Sequence, residues 1–245
     1  MLLADLGNTR GKFCQLNDGA FGDQFHWNYD EPVAPLLEHC EGCTIVVAAV
    51  ANETRKQALI DAALGLSIRL LWVETPKWDF DVINGYIEHR KLGVDRWLAL
   101  VGARHLCRSP SVIIDAGTAI TVDVLDEFGQ HKGGWIAPGM QLMAEALLKN
   151  TANLMQYEEG HSVRLAHGTE AGISNGSLAA VVGLTLQALE TARYALNTRI
   201  SPQLILTGGA AEAIAHAIQV SARVEPNLVF YGLLQYAART QKNAE

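Results

Sequence analysis

The chain has 245 residues, 49% of them hydrophobic, and its 26 Asp plus Glu against 19 Lys plus Arg give a formal net charge of −7. That length suits one large domain or two of about 110 to 130 residues, each able to bury a core. The acidic balance, with no run of basic residues, argues against nucleic-acid binding.

The first predicted element is an apolar strand, Leu2-Leu3-Ala4, that delivers Asp5 to a turn, Leu6-Gly7-Asn8-Thr9, before alternation resumes at Arg10-Gly11-Lys12-Phe13. Val112-Ile113-Ile114-Asp115-Ala116-Gly117-Thr118-Ala119 repeats that chemistry and runs on through Thr121 and Asp123. Each copy reads as strand, tight turn, strand, whereas a P-loop or a dinucleotide fingerprint opens into a helix. A phosphate at such a turn would be held by amides and a hydroxyl, not by a helix dipole. One D-x-G alone is an ordinary turn; two matched copies point to a duplicated scaffold, with domains expected at 1–110 and 111–245 and the last helix able to pack back on the first.

Between the copies the pattern predicts a strand over Thr44–Val50, a helix over Glu53–Leu64 that Gly65 ends, and a strand over Ile68–Val73. Thr75–Lys91 is irregular, a loop where binding residues such as Tyr86 tend to lie. Gly93-Val94-Asp95-Arg96 then opens a largely apolar helix that ends near Arg108-Ser109-Pro110. Read plainly, Asp95 is a charge favoured by the helix dipole and Arg96 a solvated or ion-paired surface residue.

After the second copy, Gly133-Gly134-Trp135-Ile136-Ala137-Pro138-Gly139 fixes an unusual backbone path, and a helix follows over Met140–Lys149. Thr169 is expected in a loop before a long helix from about Ile173 to Leu196, whose Gly176, Ala179, Ala180 and Gly183 permit close packing of another backbone. Within it, Thr185, Gln187, Glu190 and Arg193 interrupt the apolar stretch Ser177–Leu196, so no membrane association is expected. Leu204–Leu206 reads as a short strand that turns at Thr207-Gly208-Gly209 into a helix over Ala211–Ile218, and Pro226 suits the first turn of a final helix reaching Thr240. Because the chain enters a strand at Leu2, no signal peptide is expected, and the four cysteines are expected as reduced cytoplasmic thiols. His39-Cys40-x-x-Cys43 lacks the second cysteine pair of a zinc site.

Across nearly its whole length the sequence resembles the type III pantothenate kinases, of the acetate and sugar kinase, heat-shock chaperone and actin superfamily. The matching segments are Asp5–Thr9, Gly93–Arg96, Asp115–Ala119 with Thr121 and Asp123, Gly133-Gly134-x-Ile136-x-Pro138-Gly139, and Thr207-Gly208-Gly209. The resemblance implies two ribonuclease-H-like α/β domains with an interdomain ATP cleft, and transfer of the γ-phosphoryl group to pantothenate, giving 4'-phosphopantothenate for coenzyme A synthesis.

It further implies that Asp5, Leu6, Gly7, Asn8, Thr9, Arg10, Gly11 and Lys12 line the triphosphate and metal region, with Thr118 also contacting ATP. Asp5 would serve Mg²⁺ directly or through water. Tyr86, Gly93, Val94, Asp95, Arg96 and Thr169 would contact pantothenate, with Asp95 as proton acceptor, and Asp115 would bind K⁺ or NH₄⁺. A homodimer is implied as well. Two other readings stand beside this one: a related kinase acting on a sugar or a carboxylate, and a regulator like the Bvg accessory factors of the same family. The Gly-x-Asp-Arg helix start disfavours the first, and the retained Asp5, Asp95 and Asp115 disfavour the second.

Overall fold

The computed structural model describes residues 1–150, 162–196 and 200–242. The chain forms two compact units, Met1–Cys107 joined by Asn227–Glu245, and Arg108–Pro226.

In the first unit, β1 (Leu2–Leu6), β2 (Arg10–Asn17) and β3 (Ala20–Asn28) form an antiparallel meander, and β1 also pairs in parallel with β4 (Thr44–Ala49). With β5 (Arg69–Trp72) the sheet order is β3-β2-β1-β4-β5. Alternation decides its faces. Leu2, Ala4, Leu6, Phe13 and Trp27 enter a core shared with Leu37 of α1 (Ala34–Leu37) and Leu59 of α2 (Glu53–Gly65). The intervening positions, Asp5, Lys12 and His26, stand opposite one another across β1, β2 and β3, so one sheet face collects charge at the end where the first turn lies.

The segment expected as an irregular loop contains a small hairpin, β6 (Trp78–Asp79) with β7 (Val82–Ile83), and a 3-10 turn at His89–Lys91. Two-residue strands are too short to leave a periodic signal. A buried Asn84 ties the hairpin down, donating its amide to the carbonyls of Pro76 (3.2 Å) and His89 (3.1 Å). Next comes α3 (Val94–Leu106), whose Trp97, Leu98 and Leu100 are fully buried.

In the second unit β8 (Ser111–Ala116), β9 (Ala119–Leu125) and β10 (His131–Pro138) form the same meander, followed by α4 (Met140–Asn150) and α5 (Thr169–Leu196). The unit is completed by β11 (Gln203–Thr207), α6 (Ala211–Ala217) and β12 (Ala222–Val224). Its sheet order, β10-β9-β8-β11-β12, reproduces the first unit's strand for strand. The glycine-rich run expected as an irregular path is mostly β10, whose glycines mask its alternation, as polar residues and Gly22 do in β3, while the three residues of β12 are too few to show a period.

Helix α5 starts a turn earlier than its glycines suggest, so Thr169 is its first residue and does not sit in a loop. The Gly172 amide donates to Gly168 O (2.9 Å) and the Ser174 hydroxyl to Glu170 O (3.1 Å), which sustains the turn that Gly172 alone would weaken. By length and composition alone this 28-residue helix is apolar enough to cross a membrane, a test that a core helix also passes. One side of it, with Leu178, Val181, Ala188 and Ala192, is packed into the second core.

The final helix, α7 (Leu228–Lys242), begins two residues past Pro226, where Asn227 O accepts the Tyr231 amide (2.9 Å), and it returns to the first unit. There it crosses α3 in backbone contact: a Cβ at Gly102 would lie 2.2 Å from Leu228 O, and one at Gly232 2.3 Å from Leu98 O. Trp97 Nε1 donates to Tyr236 Oη (2.9 Å) across the same contact. Burial pushes the Tyr236 phenol up to about 12.

Candidate active site

The two repeated turns occupy equivalent places. Asp5 lies opposite Lys12 on β2 and Ala48 on β4, just as Asp115 lies opposite Thr121 on β9 and Thr207 on β11. The residue after each aspartate turns its carbonyl to the same neighbour: Leu6 O accepts the amides of Val50 (3.0 Å) and Ala51 (3.1 Å), and Ala116 O accepts that of Ala210 (3.0 Å). Each carboxylate therefore ends a central strand beside an open turn.

In the second unit, separate motifs converge on the Asp115 turn. A Cβ at Gly139 would sit 2.3 Å from Gly117 O and 2.5 Å from Thr118 O, and the Gly139 amide donates to Thr118 O (2.9 Å). From the other side Gly208, at φ +86°, brings its Cα so close that a Cβ would lie 2.5 Å from Asp115 Oδ1. These two glycines are required by space, and Gly208 by its left-handed backbone as well. Together they leave the Asp115 carboxylate in a polar cradle that any larger residue would fill. Thr118, in the same turn, is exposed. Asp123 plays a structural part, buried with its carboxylate 2.8 Å from Nε2 of the buried His131.

In the first unit, Gly7 is half-buried, Asn8, Thr9 and Arg10 are exposed, and Lys12 stands half-buried beside Asp5. Arg10 and Lys12 are close enough to His26 to add to burial in lowering its pKa; burial is the larger cause.

Sequence reading missed the shell beneath this turn. Tyr29 Oη donates to Gly7 O at 2.6 Å, and Arg55, in the first turn of α2, donates from Nη1 to Asn8 O. The Arg55 guanidinium lies 4.1 Å over the Tyr29 ring, which itself meets Trp27 edge-on at 4.8 Å. Burial first, and the Asp5 charge second, raise the Tyr29 phenol to about 12 against the opposing effect of Arg55, so it stays a donor at neutral pH. Neither residue belongs to a motif, and nothing in linear spacing joins position 29 or 55 to position 7.

Asp95, Arg96 and Tyr86 form a second constellation in this unit. Gly93 caps α3 without a side chain, and Asp95 Oδ1 accepts the Arg96 amide at 2.8 Å, satisfying one of the helix's open donors. Arg96 is only 5% exposed, which rules out the surface reading, and its Nη1 donates to Tyr86 Oη at 2.8 Å. The Tyr86 amide is in turn held by Asn84 Oδ1 (2.9 Å). A guanidinium this buried carries its charge where an anionic ligand gains most from it. Thr169 lies in the other unit, exposed at the start of α5.

The type III pantothenate kinase family model matches residues 1–190. The chain is 36% identical to the type III pantothenate kinase of Azoarcus sp. (strain BH72), covering 97% of this chain and 90% of that one. It is 34% identical to that of Idiomarina loihiensis, over 95% and 97%. The chain belongs to the type III pantothenate kinases. Among solved structures, a Baf family protein from Campylobacter jejuni, described as a transcriptional activator, superposes with a TM-score of 0.68 at 21% identity, over 99% of this chain and all of that one. A protein from Sinorhizobium meliloti described as a 2-dehydro-3-deoxygalactonokinase gives 0.54 at 14%, over 98% of both. These likenesses show that the fold is shared. A kinase of this family uses ATP and a divalent metal.

Proposed function

We propose that the Asp5–Lys12 turn takes the ATP triphosphate and that the Asp95 constellation takes pantothenate. The reaction is ATP-dependent phosphorylation of pantothenate to 4'-phosphopantothenate, and the observation that carries it is the family match over nearly the whole chain. Phosphoryl transfer requires positioning and charge stabilisation more than covalent help. The turn amides and Lys12 supply donors for phosphate oxygens, and Thr118 in the second unit adds a hydroxyl.

On the acceptor side, Arg96 and Tyr86 bind the carboxylate and polar groups of pantothenate, with Gly93 and Val94 shaping the approach to Asp95 and Thr169 contributing a hydroxyl. Asp95 orients the primary hydroxyl and accepts its proton late in the transfer. Mg²⁺ held at Asp5, directly or through water, would offset phosphate charge. K⁺ or NH₄⁺ at Asp115 fits the carboxylate cradle bounded by Gly208.

A homodimer is supported by α5. Gly176, Ala179, Ala180 and Gly183 are all exposed, and a Cβ at Gly176 or Gly183 would meet nothing within 4 Å. We place the enzyme in the cytoplasm. Purified protein supplied with ATP, Mg²⁺ and a panel of pantothenate, sugars and short carboxylates tests the reading. Phosphorylation of pantothenate alone is expected, and transfer to a sugar with none to pantothenate refutes it.

A further inference from the structure

The motif that faces the triphosphate does not hold its own shape. Two carbonyls of the first turn, Gly7 O and Asn8 O, are drawn inward by Tyr29 Oη and Arg55 Nη1. A peptide unit is planar and trans, so its C=O and the following N–H point in opposite directions. Anchoring the Gly7 carbonyl therefore aims the Asn8 amide outward, and anchoring the Asn8 carbonyl does the same for the Thr9 amide. Among the described residues the Asn8 amide donates to no protein acceptor. Had either peptide flipped, a carbonyl oxygen would face the phosphates in place of a donor, turning attraction into repulsion.

We propose that Tyr29 and Arg55 are positioning residues that fix the orientation of the Gly7–Asn8 and Asn8–Thr9 peptides, so that the turn directs the Asn8 amide, and neither the Gly7 nor the Asn8 carbonyl, toward the triphosphate. The inference rests on reading this turn as the triphosphate site. Three features let the pair do this. Tyr29 reaches Gly7 O at 2.6 Å from a ring braced by Trp27. Arg55 is fixed at both ends, because its own backbone amide donates to the N-cap Asn52 Oδ1 (3.1 Å) while its guanidinium is stacked on Tyr29 at 4.1 Å. Stacking and hydrogen bonding also make one unit of the pair: loss of either partner frees the other, so their effects are coupled.

The test uses the full-length enzyme with Mg²⁺ and ATP, reading kinetics for both substrates, the ATP dissociation constant by calorimetry, and thermal unfolding. Tyr29→Phe keeps the ring and removes only the hydroxyl; Arg55→Lys keeps the charge and removes the planar fork. Each is expected to weaken ATP binding about tenfold, the size of one lost hydrogen bond to an ordered site, with the Michaelis constant for pantothenate and the unfolding temperature little changed. Full ATP affinity in Arg55→Lys would show that Arg55 acts by charge alone and would overturn the inference. So would parallel losses for both substrates, which mark a general structural role.

Lys12→Ala separates this from the reading beneath it. If Lys12→Ala weakens ATP binding while Tyr29→Phe and Arg55→Lys do not, the turn is the phosphate site and only the positioning role falls. If Lys12→Ala leaves ATP binding intact, the site assignment falls and the inference with it. Should Arg55→Lys fail to fold, Tyr29→Phe alone decides between these outcomes.

Discussion

Gly93→Ala tests whether Asp95 works by where it stands as well as by its charge. A Cβ at position 93 would lie 2.5 Å from Asp95 Oδ1, and ordinary contact begins at 3.4 Å, so the oxygen must retreat by roughly 0.9 Å (3.4 minus 2.5). The backbone at Gly93, φ −53° and ψ 139°, is open to alanine. The obstruction is the end of a rotatable side chain, so the cost to folding is about 1 kcal/mol or less. Rotation away from Cβ also breaks the 2.8 Å bond from the Arg96 amide that holds the carboxylate.

Misplacing a catalytic group by about 1 Å can cost about 100-fold in rate, equivalent to roughly 2.7 kcal/mol of barrier. At saturating ATP and pantothenate, with ADP release as the assay, kcat should therefore fall about 100-fold while the unfolding temperature moves by no more than about 4 °C. Asp95→Asn sets the floor, with a loss of about 10² to 10⁴, and Gly93→Ala added to it should cost little more. Wild-type kcat in Gly93→Ala with a dead Asp95→Asn would show that placement is unimportant. Wild-type kcat in both would remove Asp95 from the chemistry.

Arg96→Lys keeps a charge but not the fork that reaches Tyr86 Oη; the Michaelis constant for pantothenate should rise about tenfold and that for ATP stay put, and a loss confined to ATP would refute the acceptor assignment. Activity should rise with K⁺ or NH₄⁺ over Na⁺ or Li⁺, with Asp115→Ala weakening the dependence; equal rates in all four salts at matched ionic strength remove the monovalent cation. Both Tyr29 and Tyr236 have folded-state values of about 12 against 10 unfolded, so the folded state prefers the neutral phenols. Their stabilisation is complete below pH 10 and lost as pH rises toward 12. Urea midpoints measured from pH 9 to 11.5 should fall less steeply in Tyr236→Phe than in the wild type. Ala180→Trp should convert a dimer to monomers by light scattering, and a wild-type monomer at micromolar concentration refutes the assembly.

The repeated Asp-x-Gly chemistry, the strands around it and the opening of α3 were legible in the sequence because each is written in contiguous residues: an apolar run, a turn glycine, a periodicity. The same holds for the candidate residues Asp5, Asp95 and Asp115, which stand inside motifs. Short or polar-rich elements were not legible. The β6–β7 hairpin is too brief to show a period, β10 hides its alternation behind glycines, and the first turn of α5 depends on Gly168 and Glu170 carbonyls outweighing the low helix propensity of Gly172. What only the tertiary structure decided is which distant residues share a place. Gly139 and Gly208 close on the Asp115 turn from two separate loops, Arg96 is buried against Tyr86, and Tyr29 and Arg55 anchor the carbonyls of Gly7 and Asn8. Linear spacing carries no record of such contacts: they arise when parallel pairing of β1 with β4 sets the start of α2 beside the first turn, and of β8 with β11 sets Gly208 beside the second.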